Sequence, residues 1–535
     1  MDLTSNSKSL ALGPDYCIKP GYAHRTETAY FEDTSTGITG IVHQPDIYPL
    51  AAFLAKRFDC TQILDLGCGR AQKLASLHPA FKVIGVDCGS NLRYCRDTYG
   101  FGSWIEHDLE SVLPDMLPAE DLKRTLVVCS DVIEHLARPE ALLTTLANLL
   151  EVAPVALLST PERDLVRGAD DHGPPANVAH VREWNRSELS MLLRKAGLTI
   201  GFIGLTNNND RDLEKKTSVA ILHNNHFPRP HRAPDKFRVT ALMTAYNEAD
   251  IVLPSIQHLL DQGIHVHLID NWSTDNTYEL LRPLISSGQI SYEHFPIGSP
   301  GKTYEWTKLL SRVEELSTTL QCDWFIHHDV DEIRQSPWPE CTLRDALYLA
   351  DRAGFNAIDH TVIDYRPIDN SYVPGTDFGA HFSWWEFGKR PGHFAQIKAW
   401  KNIGQRIDLA SSGGHDASFH NRKVFPYKFL LRHYPIRSDA HGALKVFQDR
   451  LGRFSANERD KGWHTQYDKC KPGQSFLRDP SSLNQADIAK EKDKFLIELL
   501  SGIGIIPTPP AQTSHPTVRE KKSSKMWKWL RWSTK

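Results

Sequence analysis

The chain of 535 residues lacks any apolar run of the roughly 18–20 residues that would span a bilayer. Residues 1–16 contain no basic stretch followed by an apolar core, which argues against a secretory signal. The formal net charge is only −3, so no overall positive charge favours binding to nucleic acid. We therefore expect a cytoplasmic protein that has no nucleic-acid partner.

Paired cysteine motifs are also missing. The nine cysteines are scattered, and neither a CxxC pair nor a Cys/His zinc spacing occurs. Most of them lie in or beside apolar segments: Cys60, Cys68, Cys88, Cys95 and Cys129. We expect buried free thiols rather than disulfides or zinc ligands.

Composition changes divide the chain. The segment 224–236 reads NNHFPRPHRAPDK and has no hydrophobic periodicity, which is typical of a linker. A second linker-like stretch begins after Ile506. We predict an N-terminal extension (1–45), a first domain (46–223) and a linker (224–236). A second domain (237–500) and a tail (501–535) follow.

Both predicted domains have an α/β pattern. Before the linker, short apolar runs at 62–66, 83–87, 125–130 and 155–159 alternate with segments of helical spacing, which predicts a parallel sheet. Two further strands, Thr199–Leu205 and Thr217–His223, are predicted to close this sheet as an antiparallel pair. After the linker the pattern restarts, with predicted strands at 238–244, 266–270 and 323–328 and a predicted helix at 277–286.

Glycine and acidic residues follow the strands of the first domain. The segment ILDLGCGRA places Gly67 and Gly69 directly after the first strand, where the backbone can pass close to a ligand. The second strand ends at Asp87, which is well placed to bind ribose hydroxyls. Asp65 can hydrogen-bond the ligand or hold the turn, and Asp108, after the third strand, is a candidate acceptor for an adenine amino group.

These segments, together with CSDVIEHL at 129–136, resemble class I S-adenosylmethionine (SAM)-dependent methyltransferases. The resemblance implies a Rossmann-like fold, a glycine loop around the methionine part of SAM and an acid on the ribose. The predicted cofactor-binding residues are Asp65, Gly67, Cys68, Gly69, Asp87, Asp108, Ser130 and Asp131. The third glycine of the usual loop is Ala71 here. A nicotinamide cofactor is the alternative, although GxGxxG spacing is absent, and a degenerate domain that binds nothing is another.

Methyl transfer to an oxygen needs a group that removes the proton of the acceptor. His135 and His180 are the candidate bases, and a purely structural role is the alternative for each.

Polar turns also follow the strands of the second domain. The segment TALMTAYNEAD contains a strand and then Ala245-Tyr246-Asn247-Glu248, and DNWSTDNT begins with Asp270 and Asn271. The strand DWFIHH runs into Asp329-Val330-Asp331. Carboxylates at the end of such a strand suit Mg²⁺ or Mn²⁺, which neutralise a diphosphate leaving group. A solvated acidic turn is the alternative.

This order resembles the GT-A fold of family 2 glycosyltransferases. The resemblance implies that the first turn, Asp270 and Asn271 hold the nucleotide, and that Asp329 and Asp331 form the DxD metal motif. Related enzymes use a late histidine on the metal and basic residues on the diphosphate.

Four late residues are candidates for those roles. His415 and His433 are the candidate third metal ligands, and Arg437 and Lys445 are candidate diphosphate ligands. Loop-anchoring histidines and surface cations are the alternatives. Asp416 is the first candidate for the base that activates the acceptor hydroxyl, and Glu386 is the second.

The pairing of two transferase patterns predicts a bifunctional enzyme of surface-polysaccharide or related glycan assembly. One half would transfer a sugar from a nucleotide-sugar and the other a methyl group, with a glycan or lipid-linked glycan as the acceptor. The basic, tryptophan-rich tail predicts peripheral contact with the cytoplasmic face of a membrane. The alternatives are a glycosyltransferase with a non-catalytic SAM-binding regulatory domain and a scaffold in which both sites are relics.

Overall fold

A computed structural model gives the structure of the chain. It describes residues 12–13, 15–26, 40–212, 214–229, 231–301, 303–338, 341–388, 396–460 and 463–485. The chain divides into two compact units, with the division after His231, and Phe425–Lys428 counts with the first unit. The division lies inside the segment interpreted as a linker. The tail 501–535, with its predicted membrane contact, lies outside the described residues.

The first unit alternates strands with helices. In chain order its elements are α1 (Ile47–Arg57), β1 (Gln62–Leu66), α2 (Gln72–Ala75), β2 (Lys82–Asp87), α3 (Gly89–Thr98), β3 (Ser103–Glu106), α4 (Ala119–Leu122), β4 (Thr125–Ser130), α5 (Pro139–Leu149), β5 (Val155–Pro161), α6 (Arg163–Arg167), α7 (Arg186–Lys195), β6 (Thr199–Thr206) and β7 (Thr217–His223).

The strands of the first unit form one sheet in the order β3-β2-β1-β4-β5-β7-β6. The first five are parallel, and β7 is antiparallel to both of its neighbours, which confirms the predicted closing pair. Every residue of β1 and β4 is buried, as expected for central strands covered on both faces. Because β1 lies between β2 and β4, the turn after β1 opens at the point where the strand order reverses, which is where such sheets bind ligands.

Local sequence signals mark the starts of two helices in this unit. Pro139 occupies the first position of α5, where its missing N–H costs nothing. Asn185 and Glu188 form a capping box at the start of α7, each side chain accepting a hydrogen bond from the other residue's backbone N–H.

From Val239 onward the elements are β8 (Val239–Ala245), α8 (Val252–Asp261), β9 (His265–Asp270), α9 (Thr277–Ser286), β10 (Ile290–His294), α10 (Trp306–Thr319), β11 (Trp324–Asp329), β12 (Glu332–Gln335), α11 (Leu343–Arg352), β13 (Ala357–Tyr365), α12 (Phe378–His381), β14 (Trp384–Phe387), β15 (Ile397–Lys401), β16 (Phe429–His433), α13 (Asp439–Ala443), a π-helix (Leu444–Arg450), α14 (Ala456–Asp460) and β17 (Asn484–Gln485).

The second sheet has the path β10-β9-β8-β11-β15-β13-β14 within the second unit. The first four strands are parallel, and β15 then runs antiparallel to β11. Off this path, β16 pairs with both β12 and β13. The central strand β8 places Thr244 opposite Asp329 and Ala245 opposite Asp270, so both acids lie at one edge of the sheet.

Among the residues that the structure describes, no helix has the length and apolar character needed to cross a membrane.

Candidate functional sites

The turn after β1 requires glycine at its first position. Gly67 has a φ of +77°, and a Cβ there would lie 2.4 Å from Cγ2 of Val132. Gly69 also has a positive φ, +55°, and so does Ala71, at +54°. Ala71, which stands where the usual loop has its third glycine, therefore has a left-handed backbone conformation. This conformation costs a residue with a Cβ about 1 kcal/mol.

Asp87 ties the end of β2 to this turn. Its Oδ2 accepts a hydrogen bond from the backbone N–H of Gly69 at 2.8 Å, and its Oδ1 accepts from the N–H of Cys88 at 2.8 Å. Asp87, which is predicted to bind the ribose, is thus held beside the glycine turn. Charge-assisted bonds to two backbone amides orient the carboxylate before any ligand binds.

Asp65 is fully buried beneath the turn. The hydroxyl of Tyr48 donates to its Oδ2 at 2.7 Å, while its Oδ1 is buried without a hydrogen-bond partner. Burial raises the pKa of Asp65 to about 7, although the bond from Tyr48 lowers it. Of the two roles predicted for Asp65, this geometry favours holding the turn.

Three further predicted cofactor residues differ in exposure. Cys68 is buried. Asp108 is exposed just beyond β3, whose end pairs with Asp87, and its carboxylate accepts from the N–H of Glu110 at 2.9 Å. Ser130 is buried and donates to Oε1 of Gln44 at 3.1 Å. Sequence reasoning missed Gln44 because it precedes the first predicted strand.

Asp131 and Glu134 follow β4 as a pair of buried carboxylates. Asp131 has a φ of +54°, and both residues have a buried carboxylate oxygen without a hydrogen-bond partner. Burial and then repulsion by Asp131 raise the pKa of Glu134 well above its ordinary value. Burial likewise raises the pKa of Asp131.

The two candidate methyl-transfer bases lie together beside Glu134. The rings of His135 and His180 are perpendicular, with centroids 4.8 Å apart. Nδ1 of His135 lies 2.9 Å from the carbonyl of Ala179, and Nδ1 of His180 lies 2.7 Å from Oε1 of Glu183. Burial, and then the neighbouring His180, lower the pKa of His135 to about 4.

In the second unit, Asp270 is completely buried and fully hydrogen-bonded. It accepts from the hydroxyl of Ser273 at 2.5 Å and from that of Tyr292 at 2.8 Å, and Nδ1 of His294 lies 3.3 Å away. These bonds fix the turn at the end of β9. Asn271, next along the chain, donates to the carbonyl of Phe295 at 2.9 Å.

The turn after β8 contacts both β9 and the late helices. Asn247, at a φ of +54°, accepts from the N–H of Thr274 at 2.8 Å and donates to Asp449 at 3.1 Å. The ring of Tyr246 lies 3.8 Å from the guanidinium carbon of Arg453. Ala245 is buried at the strand end. The predicted nucleotide residues are therefore grouped at one sheet edge.

Two lysines neutralise the acidic pair after β11. Nζ of Lys398 lies 2.8 Å from Oδ2 of Asp329 and 2.9 Å from Oε1 of Glu332. Nζ of Lys445 lies 2.8 Å from Oδ2 of Asp331 and 3.3 Å from Glu248. Burial alone would raise the pKa of Asp331, but Lys445 and His433 outweigh it and hold the value at about 2. The same balance, with Lys398 as the main cation, holds the pKa of Asp329 well below its ordinary range.

His433 faces the acidic pair. Its Nε2 lies 3.8 Å from Oδ2 of Asp331, and its Nδ1 lies 2.7 Å from Oδ1 of Asp364. A carboxylate on the far nitrogen is the arrangement that orients metal-binding histidines. Burial by itself lowers the pKa of His433, but Asp331 and Asp364 raise it above the ordinary value. Carboxylates and an imidazole are the donor types that a divalent cation takes, but the ligand atoms of Asp329, Asp331 and His433 do not all lie within 4.8 Å of one another in this structure.

The other late candidates have partners elsewhere. Nδ1 of His415 lies 2.9 Å from the side-chain nitrogen of Gln396. Arg437 is completely buried, and its guanidinium donates to Glu248 and Asp250, each at 2.7 Å. Arg437 therefore supports the turn after β8, whereas Lys445 reaches the acidic pair.

Both candidate acceptor bases are paired with arginine. Asp416 forms an ion pair with Arg422. Glu386, on β14, accepts from Nε of Arg366 at 2.9 Å, and Nη2 of Arg366 donates to Asp364 at 2.8 Å. Glu386 is thus linked through Arg366 to the carboxylate that orients His433. The role of base stays a prediction for both.

Sequence reasoning missed Lys398, Glu332 and Asp364. Lys398 interrupts an otherwise apolar strand, IKAW, and Glu332 directly follows the DxD motif, so both carried a local signal. Asp364 carried none, because its importance comes from parallel pairing of β13 with β16, which sets it opposite His433.

Family models match both units. A methyltransferase domain model matches residues 46–201, and a glycosyl transferase family 2 model matches residues 240–395.

Individual relatives match the first half. A probable S-adenosylmethionine-dependent methyltransferase of Mycobacterium tuberculosis is 27% identical over 222 residues, which cover 40% of this chain and 78% of the relative. A ubiquinone biosynthesis O-methyltransferase of Burkholderia pseudomallei is 27% identical over 150 residues, covering 26% of this chain and 64% of the relative.

Among solved structures, the methyltransferase domain of bacterial CtHen1 is 18% identical, with a TM-score of 0.27, and the match covers 34% of this chain and all of that domain. The methyltransferase model includes Gly67, Asp87 and Asp131, and the family 2 model includes Asp270, Asp329 and Asp331 but ends before His433. The chain carries a SAM-dependent methyltransferase domain followed by a family 2 glycosyl transferase domain.

Proposed function

We propose that the chain is a bifunctional enzyme of glycan assembly, which transfers a sugar from a nucleotide-sugar and a methyl group from SAM to a hydroxyl. The main support is the placement of Asp329, Asp331 and His433 at the sheet edge that also holds Asp270. A glycan or a lipid-linked glycan is the proposed acceptor.

Sugar transfer requires a charged leaving group to be held. Asp329, Asp331 and His433 would hold Mg²⁺ or Mn²⁺, which neutralises the nucleoside diphosphate as it departs. Lys445 already contacts Asp331, so its ammonium is close enough to bind a phosphate oxygen of the donor. The buried ion pair of Arg437 with Glu248 and Asp250 keeps the neighbouring turn in place.

Methyl transfer depends on positioning, because the sulfonium is already an activated donor. The glycine turn at Gly67 and Gly69 admits the ligand close to the backbone, and Asp87 is oriented to bind its ribose. The acceptor oxygen attacks the methyl carbon, the carbon–sulfur bond breaks, and the acceptor proton leaves to a base or to water.

The test uses the full chain in two assays. The first is hydrolysis of a panel of nucleotide-sugars with Mn²⁺, comparing the wild type with Asp331→Ala and with the exposed control Asp261→Asn. The second is transfer of a labelled methyl group from SAM to glycan acceptors. We expect Asp331→Ala alone to lose hydrolysis of the preferred donor. A folded chain that hydrolyses no nucleotide-sugar and methylates no acceptor would refute the proposal.

A further inference from the structure

We infer that Glu134, His135 and His180 form a divalent-cation site in the first unit, distinct from the acidic pair of the second unit. Its role in methyl transfer rests on the function proposed above, whereas the binding of a cation does not.

The three side chains converge on one point. One ligand atom from each lies within 4.8 Å of the other two. Glu134 and His135 are adjacent on a 3-10 turn after β4, and the backbone N–H of Val181 donates to the carbonyl of Glu134 at 2.7 Å. This backbone bond fastens the loop that carries His180 against the other two residues.

The buried carboxyl groups at this point have no cationic side chain beside them. Glu134 is 0% exposed, its Oε1 is buried without a hydrogen-bond partner, and its Oε2 accepts from Thr160 at 2.9 Å. Asp131, three residues earlier, also buries an oxygen without a partner. Within the described part of the chain, no lysine or arginine lies at ion-pairing distance from either carboxylate. Because a buried carboxylate oxygen without a partner is costly, a cation bound by Glu134 would satisfy its Oε1.

Both histidines have the orientation of metal ligands. Nδ1 of His135 lies 2.9 Å from the carbonyl of Ala179, and Nδ1 of His180 lies 2.7 Å from the carboxylate of Glu183. A carbonyl or carboxylate on one ring nitrogen turns the other toward a metal. Nε2 of His180 lies 3.0 Å from the side-chain nitrogen of Asn177, a contact that the cation would replace.

Two imidazoles and one carboxylate favour a borderline ion such as Zn²⁺ over Mg²⁺, which prefers oxygen alone, and Mn²⁺, which also takes carboxylate oxygens, serves as a spectroscopic probe of the site. His135 and His180 would then be ligands rather than bases. The bound cation would orient the acceptor hydroxyl and acidify it, so that its proton passes to water as the carbon–oxygen bond forms and the carbon–sulfur bond breaks.

The test is a Mn²⁺ titration of the full chain followed by electron paramagnetic resonance. Asp331→Asn is included throughout so that binding by the second unit is removed. We expect the Asp331→Asn variant to bind one Mn²⁺. Adding Glu134→Gln or His180→Asn to this variant should lower its Mn²⁺ affinity at least about 100-fold. Glu162→Gln, which also alters a buried glutamate, is the matched control and should leave the Mn²⁺ affinity unchanged.

Thermal unfolding confirms that each variant is folded. Retention of Mn²⁺ after both Glu134→Gln and His180→Asn, or no Mn²⁺ bound by the folded Asp331→Asn chain, would overturn the inference. Mn²⁺ binding is read without any acceptor, so a failure of methyl transfer alone counts against the proposed function and leaves the cation site standing.

Discussion

At the scale of single residues, Asp65 shows how burial makes stability depend on pH. Its pKa is about 7 in the folded protein, against 3.8 for an ordinary aspartate. Between these values the folded state holds a proton that the unfolded chain has released, so the free energy of unfolding falls as the pH rises.

We predict that Asp65→Asn removes this dependence. Between pH 4 and 7 the wild-type first unit should lose roughly 2–4 kcal/mol more stability than the variant. Hydrogen exchange of the β1 amides, measured by mass spectrometry across this range, checks the prediction. Asp97→Asn, an exposed change in the same unit, should behave like the wild type. Equal pH slopes for wild type and Asp65→Asn would show that Asp65 does not retain its proton on folding.

At the scale of the element, the turn after β1 depends on one glycine. Gly67→Ala should destabilise the first unit by about 1–3 kcal/mol, because the new Cβ would be 2.4 Å from Val132 and the φ of +77° is left-handed. It should also weaken SAM binding at least about tenfold, the equivalent of 1.4 kcal/mol.

Gly100→Ala is the matched control, since a Cβ there would have no atom within 4 Å. Chemical denaturation and calorimetric titration with SAM measure the two effects. If Gly67→Ala and Gly100→Ala bind SAM equally well, the turn does not need the conformation described.

The pairing of β13 with β16 gives a second prediction at this scale. Asp364→Asn should weaken Mn²⁺ binding by the second unit about 10–100-fold, because the carboxylate orients His433. Mn²⁺ titration in a chain that also carries Glu134→Gln isolates this effect. Asp351→Asn, which alters a carboxylate at the opposite end of β11, is the control. Unchanged affinity in Asp364→Asn would argue against His433 as a ligand.

Strands and helices of both units could be predicted from sequence because their signals are local. The predicted strands Gln62–Leu66, Thr125–Ser130 and Thr217–His223 agree with the structure residue for residue. The predicted helix Thr277–Ser286 does so too. Buried parallel strands are short apolar runs, and each one ends in a polar turn that the sequence displays directly.

Contacts between distant strands could not be predicted in the same way. Lys398 pairs with Asp329 across 69 residues, and His433 pairs with Asp364 across the same separation. Both pairs depend on the strand order of the second sheet, which no local pattern specifies. The different partners of Arg437 and Lys445 follow likewise from tertiary packing, since both pair with Glu248 but Arg437 also pairs with Asp250 and Lys445 with Asp331.

At the scale of the whole molecule, the chain contains two α/β units, and each has its own cluster of polar residues at the carboxyl ends of its parallel strands. Asp87 belongs to the first cluster and Asp331 to the second, and each is bound by residues of its own unit. The two ligand sites should therefore act independently.

Calorimetric titration of the wild type, Asp87→Ala and Asp331→Asn, with SAM and separately with UDP plus Mn²⁺, tests this claim most directly. Asp87→Ala should weaken SAM binding at least about 100-fold, because it leaves the amides of Gly69 and Cys88 without their acceptor. Asp87→Ala should leave the Kd for UDP unchanged. Asp331→Asn should weaken the binding of UDP and leave the Kd for SAM unchanged. Loss of both ligands by either folded variant would contradict the account.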